Sequence, residues 1–453
     1  MPKELFGTDG IRGVPGEYPL DDATLFRAGQ ALGNFLHAKP PSAKPRVLIG
    51  MDTRESGPHM AARIAQGLRA ASCEPVSAGV VTTPGVAWLV HAEGFAAGVV
   101  ISASHNPYTD NGVKLISSSG MKFPDEAEGR IEAGILAAQK SNSAVPALAS
   151  DGLPASNKLH DDYLAALRGA IFPGAKLDGM KIVLDCANGA ASALAPRLFR
   201  SLDAGVISIF DKPDGRNINT GCGSLHPEAM QKKVVETGAA LGIAFDGDAD
   251  RAIFCTATGR IVDGDGVLYA AGRHLKSSGK LKGSTIVGTS MANLGLERAL
   301  DREGLKLARV PVGDRYVLEE MLRSGANLGG EQSGHIIFLD DATTGDGLLT
   351  AVKIASLVSI AGPLDSLVAG LKIYPQTIVN VRVRSKPPLD SLPSVAGALA
   401  EAEKSLGNSG RVVLRYSGTE PLARVMVEAE RAEDVDRFSL SIAAAIRSSI
   451  GAA

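Results

Sequence analysis

Apolar and polar positions along the chain switch between two periods. Short apolar runs at 47–52, 75–81 and 96–101, bounded by turn residues, read as buried strands. Between them, 57–72 sets Met60, Ile64 and Leu68 at helical spacing, and 84–91 reads as a short helix. The alternation returns with strands at 181–186, 204–210 and 241–245, a helix opening at Asn188 and running through Leu202, and another over 227–238. A third block reads as a helix over 263–276, a strand over 284–289, helices over 293–302 and 315–323, and a long apolar helix over 345–361. Strands alternating with helices predict parallel α/β sheets. The three blocks suggest internal repetition, which residue-by-residue similarity does not establish. The Ser-, Ala- and Pro-rich stretch 140–157 reads as a linker, and 217–226 is turn-rich without an assigned element.

After Pro363 the grain changes. A half-exposed strand over 377–383, a helix through Glu401, strands over 411–414 and 423–428 and a helix over 434–450 predict an α+β unit. At roughly 80 residues it is small but able to fold when docked on a larger body.

At 453 residues the chain exceeds one hydrophobic core, and length alone suggests about three domains, give or take one. Its 45% hydrophobic and 21% charged residues suit a globular protein. A net charge of −2 gives no reason to expect nucleic acid or an anionic membrane as partner. Only 4% aromatics beside 52 glycines fits a loop-rich α/β enzyme better than an aromatic-cored sandwich. Cys73, Cys186, Cys222 and Cys255 are far apart and form no C-x-x-C, so reduced, mostly buried thiols and a cytoplasmic setting are expected. Met1-Pro2-Lys3-Glu4 opens no apolar signal segment, and no run reaches membrane-spanning length.

Five stretches carry candidate chemistry. The strand at 96–101 stops at S-A-S-H-N-P (102–107), so Ser104 sits on a loop at the carboxyl end of a strand, where open α/β sheets bind ligands. Pro107 stiffens that loop, and small neighbours are expected to leave the Ser104 hydroxyl accessible; locally a helix-capping serine fits as well. No G-x-S-x-G elbow surrounds it. D-G-D-A-D-R (246–251) sets three carboxylates at spacing two, a pattern that converges on Mg²⁺, Mn²⁺ or Ca²⁺. An EF-hand is excluded by Arg251 at its sixth position and Ala257 at its twelfth. L-F-G-T-D-G-I-R-G (5–13) surrounds Asp9 and Arg12 with glycines that allow close approach to an anion. In G-G-E-Q-S-G-H (329–335), Glu331 and Ser333 suit vicinal hydroxyls and His335 a phosphate or a proton, although a solvated turn fits too. R-Y-S-G-T-E-P (415–421), with Arg424 beyond, forms an anion nest or a polar hairpin turn. No Walker loop, H-E-x-x-H or strand-linked G-x-G-x-x-G competes.

Taken from the amino to the carboxyl end, the five stretches resemble the motifs of the α-D-phosphohexomutases, in family order, over nearly the whole chain. The resemblance implies three related α/β domains with mixed sheets plus a smaller C-terminal α+β domain around a central cleft, divided as 1–150, 151–256, 257–368 and 369–453. It implies a phosphoryl group on Ser104, adding a charge of roughly −1.5 to −2. One Mg²⁺ is then held by Asp246, Asp248, Asp250 and a phosphate oxygen on Ser104. It assigns Arg12 to the active site, Arg251 to substrate binding, and Glu331, Ser333 and His335 to the sugar. Arg415, Ser417, Gly418, Thr419 and Arg424 hold the phosphate that is not reacting. His105 and Lys114 are the acid–base candidates nearest Ser104 in sequence. Tyr416 departs from the lysine expected there.

The G-E-Q-S-G-H version is most similar to the branch that acts on glucosamine phosphates. That implies interconversion of glucosamine 6-phosphate and glucosamine 1-phosphate through a bisphosphate, on the bacterial route to UDP-N-acetylglucosamine. Priming is expected from glucosamine 1,6-bisphosphate or a kinase. The expected partner is a small hexosamine phosphate, with a homodimer open. Alternatives are a phosphomannomutase or phosphoglucomutase, a Mg²⁺-dependent sugar phosphatase, and a silent sugar-phosphate sensor, against which the complete Ser104 and three-Asp set speaks.

Overall fold

The computed structural model describes residues 4–7, 9–38, 44–141, 144–148, 153–417 and 420–452. The first sheet contains β1 (Ile11–Gly13), β2 (Arg46–Met51), β3 (Glu74–Val80), β4 (Ala97–Ile101) and β5 (Asn111–Ser117), in the order β1-β5-β4-β2-β3. Strands β3, β2 and β4 are parallel, while β5 runs antiparallel to β4 and β1. The second sheet contains β6 (Lys181–Asp185), β7 (Gly205–Ile209), β8 (Leu241–Phe245), β9 (Ala252–Thr256) and β10 (Ile261–Val262), in the order β10-β9-β8-β6-β7. The third contains β11 (Thr285–Thr289), β12 (Lys306–Val310), β13 (Leu328–Gly330) and β14 (Ile336–Phe338), in the order β12-β11-β13-β14.

These sheets repeat one design. Two helical crossovers link three parallel strands, and a short loop then returns the chain as an antiparallel neighbour: β5, β9 or β14. Each central strand also ends alike, with a side chain accepting the N–H two residues on. Asp52 accepts from Arg54 (3.0 Å), Asp185 from Ala187 (2.9 Å) and Thr289 from Met291 (3.2 Å). The sheets are therefore mixed, not purely parallel as the strand–helix alternation alone predicts. The return strands were invisible to periodicity because β5 opens on Asn-Gly and carries a lysine, and β14 has only three residues. Helices Asp22–His37, Asp125–Lys140 and Asn157–Gly169 also escaped the pattern.

One apolar core runs through all three units, from Leu48 and Val86 through Leu184 and Phe245 to Leu268 and Ile354. Helix Gly347–Ala361, apolar all round, is buried from Gly347 to Val358. It packs against helices Asn157–Gly169, Ala191–Arg200 and Gly264–Ser277 and against β8, β9 and β14. The C-terminal unit has its own core (Val381, Val395, Val425, Phe438, Ile442) between two helices and an antiparallel sheet. That sheet holds β15 (Gln376–Arg382), β16 (Gly410–Tyr416) and β17 (Leu422–Ala429), in the order β15-β17-β16. Polar contacts tie this unit to the third one: the buried Glu428 carboxylate accepts from Leu294 N–H, and Arg411 Nη2 donates to the Ala292 carbonyl. All four cysteines are free and buried. Among the described residues no helix is long and apolar enough to cross a membrane.

Asp185 makes stability depend on pH. Burial pushes its carboxyl up to about 6 from an ordinary 3.8, against the Gly223 and Ala187 N–H groups that favour the ionised form. Between those values the folded chain binds more protons than the unfolded one. The contribution is therefore full below about pH 4 and is lost as pH rises through 6, about 3 kcal/mol in all. Urea unfolding of Asp185→Asn from pH 4 to 7 should show a shallower fall in stability than the wild type; equal slopes would contradict this.

Candidate active site

Three of the candidate stretches occupy one place in the repeated design. Ser104 lies between β4 and β5, the three aspartates between β8 and β9, and Glu331 to His335 between β13 and β14. Each loop leaves the carboxyl end of the third parallel strand of its unit. The loops also meet: a Cβ on Gly247 would lie 2.5 Å from the Ser104 carbonyl oxygen, so only glycine permits that approach. Ala252 N–H donates to the Gly334 carbonyl (3.1 Å), joining the acidic and sugar loops.

Ser104 adopts the left-handed region with φ of +49° and is only 3% exposed. Its hydroxyl is not the accessible group expected from its small neighbours, because loops from the second unit close over it. Oγ donates to Asp246 Oδ2 at 2.6 Å, across 142 residues of chain, and lies 3.4 Å from His105 Nδ1.

The aspartates face one another: ligand oxygens of Asp246, Asp248 and Asp250 all lie within 4.8 Å of each other. Burial pushes the Asp246 carboxyl well above its ordinary range, and Asp250 and Asp248 push it further. Asp248 goes the other way, because Lys114 and Thr83 outweigh its burial. Its Oδ2 accepts from Thr83 Oγ1 (2.6 Å) and Lys114 Nζ (3.1 Å). Asp248 Oδ1 and Asp250 Oδ1 are buried without a hydrogen-bond partner. Two orphaned carboxylate oxygens within a buried triad fit a hard dication with oxygen ligands.

Cations surround this triad. Lys114, on β5, sits 3.1 Å from both Asp248 and Asp9. Burial disfavours its charge, but the two carboxylates prevail and raise its pKa, so Lys114 keeps its proton near neutrality. Asp9 also pairs with Arg12 (2.6 Å) and Lys122 (2.6 Å), and Lys122 reaches Asp314 of the third unit (2.6 Å). Arg12 Nη1 donates to the Ala103 carbonyl (3.2 Å), which holds its guanidinium against the Ser104 loop. The partners Thr83, Lys122 and Asp314 stand in no motif; Thr83 as a hydroxyl donor and Lys122 and Asp314 as counter-charges emerge only when the units pack, so no spacing reveals them.

Arg251 is half-buried and close to Asp250 (Nε–Oδ1 3.7 Å), while its backbone N–H donates to Asp246 Oδ1 (3.2 Å). Glu331 Oε1 accepts from Gly313 N–H (3.1 Å), and Ser333 is exposed. His335 is buried with Nδ1 3.5 Å from Asp250 Oδ2, and its Nε2 accepts from Gly345 N–H (3.2 Å). That acceptor role places the ring proton on Nδ1, towards Asp250.

The C-terminal stretch differs from expectation in one respect. Strand β16 runs on through Tyr416, so Arg415 and Tyr416 belong to the sheet and not to the turn. Arg415 stands directly opposite Arg424 on β17. Like charges in that position repel, and burial together with Arg424 lowers the Arg415 pKa. Arg424 pairs with Glu420 (3.0 Å), whereas the Arg415 guanidinium has no partner among the described residues. Ser417 Oγ accepts from Glu420 N–H (3.2 Å), and Lys386 Nζ donates to the Ser417 carbonyl (2.7 Å). Tyr416 OH donates to the Pro387 carbonyl (2.6 Å), an anchoring role for the residue that departs from the family pattern. Gly418 and Thr419 lie outside the described residues. Among the described residues, no hydrogen bond or ion pair of this loop reaches Ser104 or the three aspartates.

Comparison with known proteins agrees along the whole chain. Four parts of the phosphoglucomutase/phosphomannomutase family match in order: alpha/beta/alpha domain I over 3–142, domain II over 161–259, domain III over 263–374 and the C-terminal domain over 378–445. The phosphoglucosamine mutase of Solibacter usitatus is 53% identical over 454 residues, covering 100% of both chains. That of Koribacter versatilis is 51% identical, covering 99% of this chain and 98% of its own. A crystal structure of a phosphoglucomutase/phosphomannomutase family protein from Burkholderia thailandensis matches with a TM-score of 0.78 at 25% identity, covering 98% of this chain and 97% of that one. The chain therefore belongs to the phosphoglucosamine mutases, isomerases of the phosphoglucomutase/phosphomannomutase family.

Proposed function

We propose that the chain interconverts glucosamine 6-phosphate and glucosamine 1-phosphate by passing a phosphoryl group through Ser104. The observation that carries this reading is the Ser104 hydroxyl 2.6 Å from Asp246, inside a triad with two orphaned oxygens. Asp246, Asp248 and Asp250 would hold one Mg²⁺, which supplies charge neutralisation at the transferring phosphoryl group.

In the forward half-reaction a sugar hydroxyl oxygen bonds to the phosphorus of phosphoserine, and the bond from phosphorus to Ser104 Oγ breaks. The hydroxyl proton passes to a base, for which His105, 3.4 Å from Oγ, is the candidate, and from that base to the departing Oγ, which becomes the Ser104 hydroxyl. Lys114 serves as a fixed cation, because two carboxylates hold its proton. Arg12 steadies charge beside the Ser104 loop. The sugar is gripped by Glu331 and Ser333, with Arg251 and His335 beside it. Arg415, Ser417, Gly418, Thr419 and Arg424 take the phosphate distal to the reaction. The resulting bisphosphate turns round and returns its other phosphoryl group to Ser104. Glucosamine 1,6-bisphosphate or a kinase primes the serine, and the chain divides functionally as 1–150, 151–256, 257–368 and 369–453.

The test is isomerisation of glucosamine 6-phosphate with and without a trace of bisphosphate, alongside glucose and mannose phosphates and with free phosphate monitored. Faster turnover of a glucose or mannose phosphate would reassign the substrate. Phosphate release exceeding isomer formation would make the enzyme a phosphatase.

The unpartnered Arg415 makes a second expectation. Arg415→Ala should weaken both isomers about ten- to a hundredfold, since losing one guanidinium–phosphate contact costs roughly 1.5–3 kcal/mol. Titration of each isomer into both proteins checks it; unchanged dissociation constants would leave the loop a structural turn.

A further inference from the structure

Arg54 belongs to none of the site motifs, yet it is among the most completely engaged side chains in the molecule. It is 1% exposed and follows β2 in the first unit. All five of its side-chain N–H groups have acceptors. Nε donates to Asp52 Oδ2 (2.9 Å). Nη1 donates to the carbonyls of Pro107 and Asp110 (the latter at 2.9 Å), and Nη2 to those of Ser104 (3.0 Å) and Asn106 (2.9 Å). Four carbonyls of the Ser104 loop thus converge on one planar fork. From the second unit, Asn219 Nδ2 donates to two of the same carbonyls, Ser104 (2.9 Å) and Asn106 (3.1 Å).

The peptide N–H of Ser104 is held from the other side. It donates to Ser102 Oγ (2.9 Å), and that hydroxyl donates to Asp52 Oδ2 (2.6 Å), the oxygen that also pairs with Arg54. The backbone of Ser104 is therefore pinned at both its N–H and its carbonyl by groups that trace back to one buried ion pair. Ser104 needs such pinning, because φ of +49° is unfavourable for a residue with a Cβ and persists only where surroundings impose it.

We propose that Arg54, braced by Asp52 and assisted by Asn219, is the positioning residue that aims the Ser104 hydroxyl at the aspartate triad for phosphoryl transfer. It touches neither sugar nor phosphate. Its effect is on the direction of Oγ, and misplacing a reacting atom by about 1 Å costs on the order of a hundredfold in rate. Lysine cannot replace it, since a single ammonium does not span four carbonyls arranged around a planar fork.

This inference rests on Ser104 being the phosphoryl carrier, and the experiment separates the two. Arg54→Lys in the full chain keeps a charge beside Asp52 while losing the fork. Wild type and variant are compared for kcat, for the dissociation constants of both glucosamine phosphates, for the ratio of isomer to free phosphate, and for the phosphorylated residue by peptide mapping. The expected result is kcat lower by about a hundredfold, dissociation constants within about threefold (about 0.65 kcal/mol), and a larger share of phosphoryl groups lost to water. A variant with wild-type kcat, or one that loses kcat and affinity in equal measure, would overturn the positioning role. If Arg54→Lys does not melt cooperatively, Asn219→Ala carries the test. It removes two of the same carbonyl bonds without stranding a buried charge, and unchanged kcat there overturns the proposal. Isomerisation by a wild type that carries no phosphate on Ser104 would overturn the phosphoserine reading, and this inference with it.

Discussion

Ser104→Ala should abolish isomerisation, lowering turnover by at least about 10⁴-fold, the scale on which losing a covalent nucleophile is felt. The fold should survive. The substitution removes one buried hydrogen bond, Oγ to Asp246, worth about 1 kcal/mol. Asp246 adapts to the loss, because burial and its acidic neighbours already favour its protonated form. Intact-mass measurement of the wild type should show a phosphate-sized adduct on part of the sample, absent from the variant. Peptide mapping should place it on Ser104 and not on Ser102, which is fully buried and donates to Asp52. An adduct on Ser102, or isomerisation by Ser104→Ala at more than a trace, would sink the assignment.

Exhaustive chelation should remove activity to a comparable degree, and Mg²⁺ should restore it. A bound dication supplies several kcal/mol of charge stabilisation in phosphoryl transfer, about 10³-fold or more in rate. A second readout is independent of turnover. Mg²⁺ at a hundred times its dissociation constant should stabilise the folded chain by about 2.7 kcal/mol, because it binds the assembled triad and not the unfolded chain. The ion must also displace the proton that burial places on Asp246. Affinity should therefore rise with pH, with proton release on binding in titrations run in buffers of different ionisation enthalpy. Full activity in a metal-free enzyme, or a melting temperature indifferent to Mg²⁺, would refute a cation at these residues.

The sequence by itself determined the local grammar of this protein. Strand and helix periods were legible in most of the three α/β units, since burial on one face imposes them. The chemistry-bearing stretches were legible too: D-G-D-A-D-R as three converging carboxylates from their spacing, and the order of five motifs as a family likeness. Short range is what such signals share. The residues that build the Ser104 loop, or the acidic loop, lie within ten positions of one another.

The tertiary structure decided everything that depends on which loops meet. The three site loops converge because three sheets share one strand order, and that order lives in pairings such as β4 with β5 and β8 with β9. No period in the chain encodes those pairings. Ser104 turned from an accessible hydroxyl into a buried one because Asp246 and Gly247, more than 140 residues away, close on it. Lys114 is buried with its ammonium shared between Asp9 and Asp248, contacts that its place in the sequence near Ser104 does not announce. Thr83, Lys122, Asp314 and Arg54 stand in no motif, and each acquires its part only from partners brought in by packing. A side chain's protonation, direction and burial are properties of its neighbours in space, and those neighbours are chosen by how the units fold against each other.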